Sequence, residues 1–502
     1  MNQHVETSAP AREERLHAGI AFGGTCGELK CSLNRGGTCL SAPNRAFSET
    51  YGCQFTLSLG IINTLRNAVV IMHGPIGCGY CSTATTGTGK SFKRLRDPNS
   101  SGTIWLSSNL DENDVIGGGE EKLKEAVLFA DREYRPEIIV VVSSCVPALI
   151  GDDVDSILEN LQSDTAATLI ACNCEGFKTK VMATAYDAAY NGIMKGITGP
   201  YGEWRPLTES DQDKADREYR ISRTVNVFNV GSMSRTDELE IQRLLNAIGL
   251  NVNFLPCYAE PDDFQTSLEA ALNVSVCGTH DDYYLKYLKE TFGIPYLIDT
   301  IPIGRKNVAR WLRKIAEFFN LEEEADALIA VEETALEEGL APFREQLQGK
   351  RVYIGGGEVR VLATASIAQD LGMEIVGLKG HHVDEFLLPL FETLENAEEI
   401  PINIATQHPF EQANIIERVK PDVIIIHTGG NSISAKHGLP LLPLFSPSIN
   451  YLGYSGEYEM ARRLSRLVRN SSLNLHLSQY CPKPFKKSWY EANPFKYIKE
   501  NG

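Results

Sequence analysis

Three cysteines of this chain stand in one kind of place. Cys78 follows the apolar run AVVIM, Ala68 to Met72, across a His-Gly-Pro turn; Cys145 lies two residues beyond EIIVVVS; Cys277 comes directly after NVSV. Such runs read as strands of parallel sheets, so each thiol is expected at a strand's carboxyl end, where open α/β sheets bind their ligands. One cysteine there is most simply a small buried hydrophobe. Three at equivalent places point to soft-metal chemistry, because thiolate sulfur suits iron–sulfur clusters and nearby amides adjust their potential. Glycines and prolines beside Cys78, and Pro147 beside Cys145, let backbone approach a bulky inorganic group. Spacing does not specify the metal: Cys78 and Cys81 have C-x-x-C spacing, but no second pair completes a zinc site.

A competing motif lies nearby. ATTGTGKS, Ala84 to Ser91, is one residue away from the phosphate loop G-x-x-x-x-G-K-[ST]. That loop must leave a strand directly and open a helix, so that amides and the helix N-terminus surround the phosphates. Here the preceding strand ends near Met72 and Pro98 interrupts any helix that follows, which favours a Gly-Thr loop with a solvated lysine.

The elements that must carry the thiols alternate along the chain. Apolar runs at Ala68–Met72, Glu137–Val142, Thr168–Ala171, Thr224–Val230, Asn273–Val276, Tyr296–Ile298, Arg351–Ile354, Glu374–Val376, Ile402–Ile404 and Asp422–Ile426 read as strands covered on both faces. Helical patterns fall between them at Glu120–Tyr134, Thr236–Ile248, Asp281–Thr291, Val308–Phe319, Glu322–Glu338 and Val361–Leu371. The expected class is α/β with mainly parallel sheets. A length of 502 residues, 43% of them hydrophobic, suits roughly three domains. The Pro- and charge-rich stretches Gly199–Tyr219 and Pro342–Lys350 suggest the boundaries: an extension at 1–50, domains at 51–220, 221–345 and 346–470, and a second extension at 471–502.

Bulk charge narrows the partners. A net charge of −17 opposes nucleic acid and anionic membrane, both of which require clustered Lys and Arg. No apolar run is long enough to span a bilayer and the N-terminus has no signal-like segment, so a cytoplasmic protein is expected. In a reducing compartment, ligation or burial must account for the 12 cysteines.

Longer stretches carry a resemblance. Tyr51-Gly-Cys53, HGPIGCGY around Cys78, SSCVPALIGDDVDSI around Cys145, CNCEGFK from Cys172 and VSVCGTHDDYYLKYLKETFGIPYL around Cys277 occur in order. Together they resemble the α-type subunit of the catalytic component of nitrogenase and its relatives, across roughly residues 50–470. The resemblance implies three Rossmann-like domains. It implies that Cys53, Cys78 and Cys145 supply half the ligands of a P-type [8Fe-7S] cluster at a subunit interface, and that Cys277 holds one terminal iron of a nitrogenase-like iron–sulfur cofactor. It further implies a β-type partner in an α2β2 assembly and a separate ATP-dependent iron protein as electron donor. The GGGEVR loop, Gly355 to Arg360, is similar to the family's glycine-rich loop, where amides, here of Gly356 and Gly357, and an arginine, here Arg360, contact cofactor sulfides.

Departures from nitrogenase proper matter. Phe445 aligns with the histidine that anchors the far end of the family's cofactor, Tyr186 with a histidine near its reactive face, and Gly429 with a lysine associated with an organic acid. Dinitrogen reduction is therefore disfavoured. A phenol can still donate a proton, although its ordinary pKa near 10 makes it a poorer acid than imidazolium. His381 and His382, in GLKGHHVDEF, align with a loop lining the cofactor; His381 is a candidate proton donor and His382 a candidate cofactor contact. His280, three residues past Cys277, and the weaker candidates His427 and His437 complete the set. Cys26, Cys31 and Cys39 fit no metal motif, and Cys81, Cys172, Cys174, Cys257 and Cys481 read as structural.

Two function classes survive. One is a nitrogenase-like oxidoreductase for a small-molecule substrate, with the D subunit of the methylthio-alkane reductases as the best fit: these cleave C–S bonds to give methanethiol and a hydrocarbon. The other is a cofactor-assembly scaffold, which carries a cluster to a client without turnover. Nitrogenase itself ranks third and the tetrapyrrole-reducing relatives fourth.

Overall fold

The computed structural model describes residues 5–6, 8–16, 18–35, 44–46, 53–79, 96, 98, 103–178, 181, 183–199, 210–229, 233–406, 408–427, 430–446 and 449–499. Cys39, Cys81, Gly429 and the ATTGTGKS stretch lie outside them. The chain divides into two compact units: Met1–Ala11, Gly52–Arg235 and Gly249–Ile298 form one, and Arg12–Tyr51, Thr236–Ile248 and Asp299–Gly502 the other.

The first unit holds two four-stranded parallel sheets. One has the order Ile104–Ser107, Ala68–His73, Ile138–Ser143, Thr168–Asn173. Its two central strands are buried throughout, and alternate residues serve opposite faces. Val69, Ile71, Ile139 and Val141 pack against Leu123, Val127 and Ala130, the i, i+4, i+7 stripe of helix Glu120–Tyr134. Val70, Met72, Val140 and Val142 join Leu59 and Ile62 of helix Gln54–Ile62 and Tyr190 and Ile193 of helix Thr184–Ile193 on the other face. Each fully buried aliphatic side chain contributes about 1.5–3 kcal/mol, so the sheet bearing Cys78 and Cys145 is a rigid platform. The second sheet runs Tyr296–Leu297, Leu272–Ser275, Thr224–Asn229, Asn251–Pro256.

The second unit contains a six-stranded sheet ordered Ala21–Thr25, Pro401–Ala405, Glu374–Gly380, Arg351–Gly355, Val423–Ile426, Leu441–Pro443. All its pairings are parallel except the first, where an N-terminal strand runs antiparallel along the edge. Helix Glu358–Asp370 is buried along nearly its whole length, so its start, directly after the Gly355–Gly357 turn, is held firmly.

The mixed α/β class with mainly parallel sheets is the architecture observed. Every apolar run expected as a strand is one, with ends shifted by a few residues. Besides the two-residue antiparallel pair Asn44–Arg45 and Ile498–Lys499, four strands were not expected: Ala21–Thr25, Ile104–Ser107, Asn251–Pro256 and Leu441–Pro443. All four are sheet edges, and none is buried along its whole length, so their sequences lack a continuous apolar run. The stretch from Pro342 also differs from expectation, since helix Glu322–Leu347 continues through that proline. Among the described residues, no helix is long and apolar enough to cross a membrane.

Candidate functional site

The thiols singled out in the sequence sit where strands or loops turn into helices. Cys53 is the N-cap of helix Gln54–Ile62, with its carbonyl accepting the Thr56 and Leu57 amides at 3.0 and 3.3 Å. Cys145 opens helix Cys145–Ile150 just past strand Ile138–Ser143. Cys78 lies on the helical turn 76–79 after strand Ala68–His73. His73 pairs in register with Ser143, so the loops bearing Cys78 and Cys145 leave neighbouring strands at the same level. Cys277 is the N-cap of helix Gly278–Phe292, past strand Leu272–Ser275. The positive end of a helix favours negative charge nearby, whether thiolate or cluster sulfide.

Two of these thiols lie beside the same glycine. A Cβ built on Gly176 would lie 3.0 Å from the Cβ of Cys53 and 3.6 Å from the Sγ atoms of both Cys53 and Cys145. Any side chain at 176 would fill the space that the two sulfurs share. Cys53 is exposed, and Cys78 and Cys145 are partly exposed. Sulfurs spread over an open, glycine-floored surface suit a polynuclear group completed from outside, rather than a closed shell around one ion. Among the described residues, no group of three or more His, Cys, Asp or Glu is arranged to hold a metal ion. Gly176, in the CEGF turn, escaped sequence reasoning; its only signal is a glycine three residues past the end of strand Thr168–Asn173.

The other cysteines differ in surroundings. Burial pushes the Cys172 thiol up to about 12 and the Cys174 thiol well above its ordinary value. Burial and then Glu398 push Cys26 up to about 12. Cys257 is buried with its thiol 3.8 Å from the Gly60 carbonyl. The Cys26, Cys172 and Cys174 thiols stay protonated, as packing groups do. Cys31 is exposed and Cys481 partly so.

Cys277 is 8% exposed and its backbone is held by a hydrogen-bonded series. Its N–H donates to Ser275 Oγ at 3.0 Å, Ser275 donates to Asp281 Oδ2 at 2.5 Å, and Tyr190 donates to Asp281 Oδ1 at 2.7 Å. Burial and then the Asp281 carboxylate keep the Tyr190 phenol protonated, so it remains a donor. Next to this series, Tyr186 and His280 pack ring to ring at 4.6 Å, and the His280 amide donates to the Cys277 carbonyl at 2.8 Å. Asp281, Ser275 and Tyr190 were not read from the sequence, because only the fold brings helix Thr184–Ile193 beside the start of helix Gly278–Phe292.

The second unit gathers the remaining candidates. Gly357 is the N-cap of helix Glu358–Asp370, and a Cβ there would meet nothing within 4 Å. A Cβ on Gly356 would lie 2.4 Å from the Leu444 side chain, so any larger residue would have to push that leucine aside. The Arg360 guanidinium lies 5.5 Å from the Phe445 ring centre and 6.0 Å from that of Tyr451. His427 stacks on Phe445 at 6.4 Å and meets His381 edge-on at the same distance. Burial, then Arg360 and Lys379, lower the His427 pKa to about 4. His381 is held neutral by burial and then Lys379; its Nδ1–H donates to the Thr406 carbonyl at 2.9 Å, which leaves Nε2 as the acceptor. The arrangement is cationic and aromatic, suited to an anionic group. His382 points elsewhere: its Nε2 lies 3.5 Å from Glu358 and 3.6 Å from Asp384, inside a buried ion cluster that Arg12 completes at 3.6 Å from Asp384. His437 pairs with Glu417 at 3.4 Å.

Comparison with known proteins completes the picture. Residues 53–469 match the family described as nitrogenase component 1 type oxidoreductase. The chain is 28% identical over 426 residues to the nitrogenase iron-molybdenum cofactor biosynthesis protein NifE of Rippkaea orientalis, covering 84% of this chain and 85% of that one. It is 24% identical over 442 residues to the nitrogenase molybdenum-iron protein alpha chain of Methanococcus maripaludis, covering 84% and 87%. Its fold is that of a solved structure, nitrogenase Cp1 at pH 5, with a TM-score of 0.69 at 21% identity over 90% of this chain and 98% of the other. Thiols at strand ends, glycine-floored approaches and a match running from Cys53 to Arg469 converge: the chain belongs to the nitrogenase component 1 family of oxidoreductases.

Proposed function

We propose that this chain is the catalytic α-type subunit of a nitrogenase-like reductase that breaks C–S bonds of small methylthio-alkanes. The observation that carries the reading is Cys277, buried at a helix N-cap with its amide fixed through Ser275, Asp281 and Tyr190, as a ligand held ready for a metal would be. Phe445, beside Arg360 and His427, has no lone pair to offer a metal, which argues for chemistry other than dinitrogen reduction. In the reaction R–S–CH3 takes up two electrons and two protons, the R–S bond breaks, and RH and methanethiol leave.

When bound, the iron–sulfur groups supply the path for electrons from an ATP-dependent iron protein. Cys53, Cys78 and Cys145 would hold half of a P-type [8Fe-7S] cluster, with a β-type partner completing it in an α2β2 assembly. Cys277 would hold a nitrogenase-like cofactor. In the second unit, the family resemblance assigns sulfide contacts to the Gly356 and Gly357 amides and to Arg360, and His382, through Glu358, would steady the loop that presents them. Tyr186 would donate its phenolic proton, with its ring kept in place against His280. His381 would take a proton at Nε2 and pass it on, since its Nδ1–H is committed to Thr406. Ile116 and Leu149, 88% and 72% exposed, stand on the touching helices Glu112–Gly117 and Cys145–Ile150 and would offer the iron protein apolar contacts.

A cofactor-assembly scaffold is the second reading, favoured by relatives that carry the name cofactor biosynthesis protein. Anaerobic purification of the complex with its natural partner, iron analysis, and turnover of dimethyl or ethyl methyl sulfide with the iron protein and ATP separate the two. Methanethiol supports the reductase. A loaded complex that releases its cofactor to a client without turnover supports the scaffold, and an iron-free complex overturns both.

A further inference from the structure

Beside the Cys78 and Cys145 loops lies a buried polar set that no thiol uses. His73, fully buried at the end of strand Ala68–His73, has Nδ1 3.0 Å from Ser108 Oγ and Nε2 3.1 Å from Asp152 Oδ2. Ser108 Oγ also accepts the Gly74 amide at 3.1 Å, and the Asp152 oxygens accept the Gly119 amide at 3.0 and 3.1 Å. One tautomer satisfies every group: Nε2–H donates to the carboxylate, and Nδ1 accepts the Ser108 hydroxyl proton. Burial outweighs Asp152 and lowers the His73 pKa, in keeping with that neutral ring.

The composition Ser, His, Asp invites a nucleophilic reading. It fails on access, because Ser108 is 6% exposed and His73 not at all, so no substrate carbonyl reaches the hydroxyl. What the set does touch is both cysteine-bearing loops. The turn to Cys78 begins at Gly74, whose φ of +155° and closeness to Ser144, 2.1 Å from a built Cβ to Oγ, exclude any side chain. The Ser144 amide, immediately before Cys145, donates to the His73 carbonyl at 3.0 Å. Past the far end of helix Cys145–Ile150, the Asp152 amide donates to the Pro147 carbonyl at 3.0 Å while its carboxylate holds the His73 ring. The helix bearing Cys145 is thus fastened on both sides to the residue from which the Cys78 turn departs.

We infer that His73 and Asp152 are positioning residues that set the placement of Cys78 relative to Cys145, and through it the redox behaviour of the cluster those thiols would hold. This rests on the cluster assignment above. The loops come from different strands, and this set reaches both with buried, directional bonds; ligand spacing and hydrogen bonding around a cluster tune its potential.

The test uses the full complex carrying Asp152→Asn or His73→Gln. An asparagine offers one acceptor oxygen where the carboxylate offers two, so the His73 and Gly119 contacts cannot both persist unchanged. Expected are a retained protein fold, an altered electron paramagnetic resonance line shape and a shifted midpoint potential. Alkylation rates of Cys78 and Cys145 in the metal-free protein should also change several-fold, with the rate at Cys277 unchanged. If Asp152→Asn does not accumulate folded, Ser108→Ala removes a single hydroxyl from the same set and is held to the same criteria. Variants with wild-type spectrum, potential and alkylation rates overturn the inference while leaving the functional reading intact. A wild-type complex without iron overturns that reading, and the metal-free alkylation rates then decide alone whether His73 positions the two loops.

Discussion

Cys277 and the Cys53–Cys145 pair lie in the same unit and both stand at helix starts, yet their surroundings differ in kind. Cys277 is buried and its amide is held through a serine, an aspartate and a tyrosine of its own unit. Cys53 and Cys145 face outward over the bare backbone of Gly176. A buried ligand must have its polar neighbours satisfied from within, because water cannot do it. An exposed ligand can leave its remaining partners to another molecule. The contrast teaches that the surroundings of Cys277 are furnished by this chain, while Cys53 and Cys145 are left open, as the proposed sharing with a partner would require.

That contrast can be broken or sharpened by experiment. The largest effect is expected for Cys277→Ala: substrate turnover should fall at least ~100-fold and cofactor iron should be lost, while iron at the Cys53–Cys145 site stays, as a cofactor-specific and a cluster-specific spectrum would reveal. Loss of both signals together would mean the two sites are not separate. Next comes Asp281→Asn, which takes one acceptor from Tyr190 or Ser275; cofactor affinity should drop about 10- to 100-fold with the interface cluster untouched, measured by iron retention on dilution.

Comparisons of such variants need a common pH, and Glu457 shows why. Burial and then Asp370 raise its pKa from 4.5 to about 7 in the folded chain. A raised carboxyl binds its proton more tightly when folded, so its stabilising contribution is complete below 4.5 and lost as pH rises to about 7. Glu457→Gln should flatten the stability profile in that window by up to about 1.4 kcal/mol per pH unit, seen in denaturant midpoints at pH 5 and ~7. The smallest effect belongs to Cys172→Ala: about 1 kcal/mol of stability from a small cavity and no change in iron, because this thiol only packs. Iron loss there would erase the distinction between ligating and packing cysteines.

Much of this was legible in residue order. Central strands announce themselves as unbroken apolar runs because neighbours cover both faces, and Cys78, Cys145 and Cys277 lie just past such runs. Edge strands such as Asn251–Pro256, with half their surface open, leave no comparable trace. Helix Glu322–Leu347 continues through Pro342 against the expectation of a break, since packing along its length, including Leu336, Leu340 and Leu347, offsets the lost hydrogen bond. The histidines were the least readable. A ring's role depends on which atoms meet its two nitrogens, and His381 on Thr406, His382 between two carboxylates and His73 between Ser108 and Asp152 look alike in one dimension.

By itself, the order of residues determined the class of fold and put Cys78, Cys145 and Cys277 just past strands, because strand periodicity is a local property. Only tertiary structure decided that Cys53 and Cys145 converge on Gly176, that Tyr190 and Asp281 stand behind Cys277, and which protons the histidines carry. Those are relations between segments far apart along the chain, and they exist only once packing has brought those segments together.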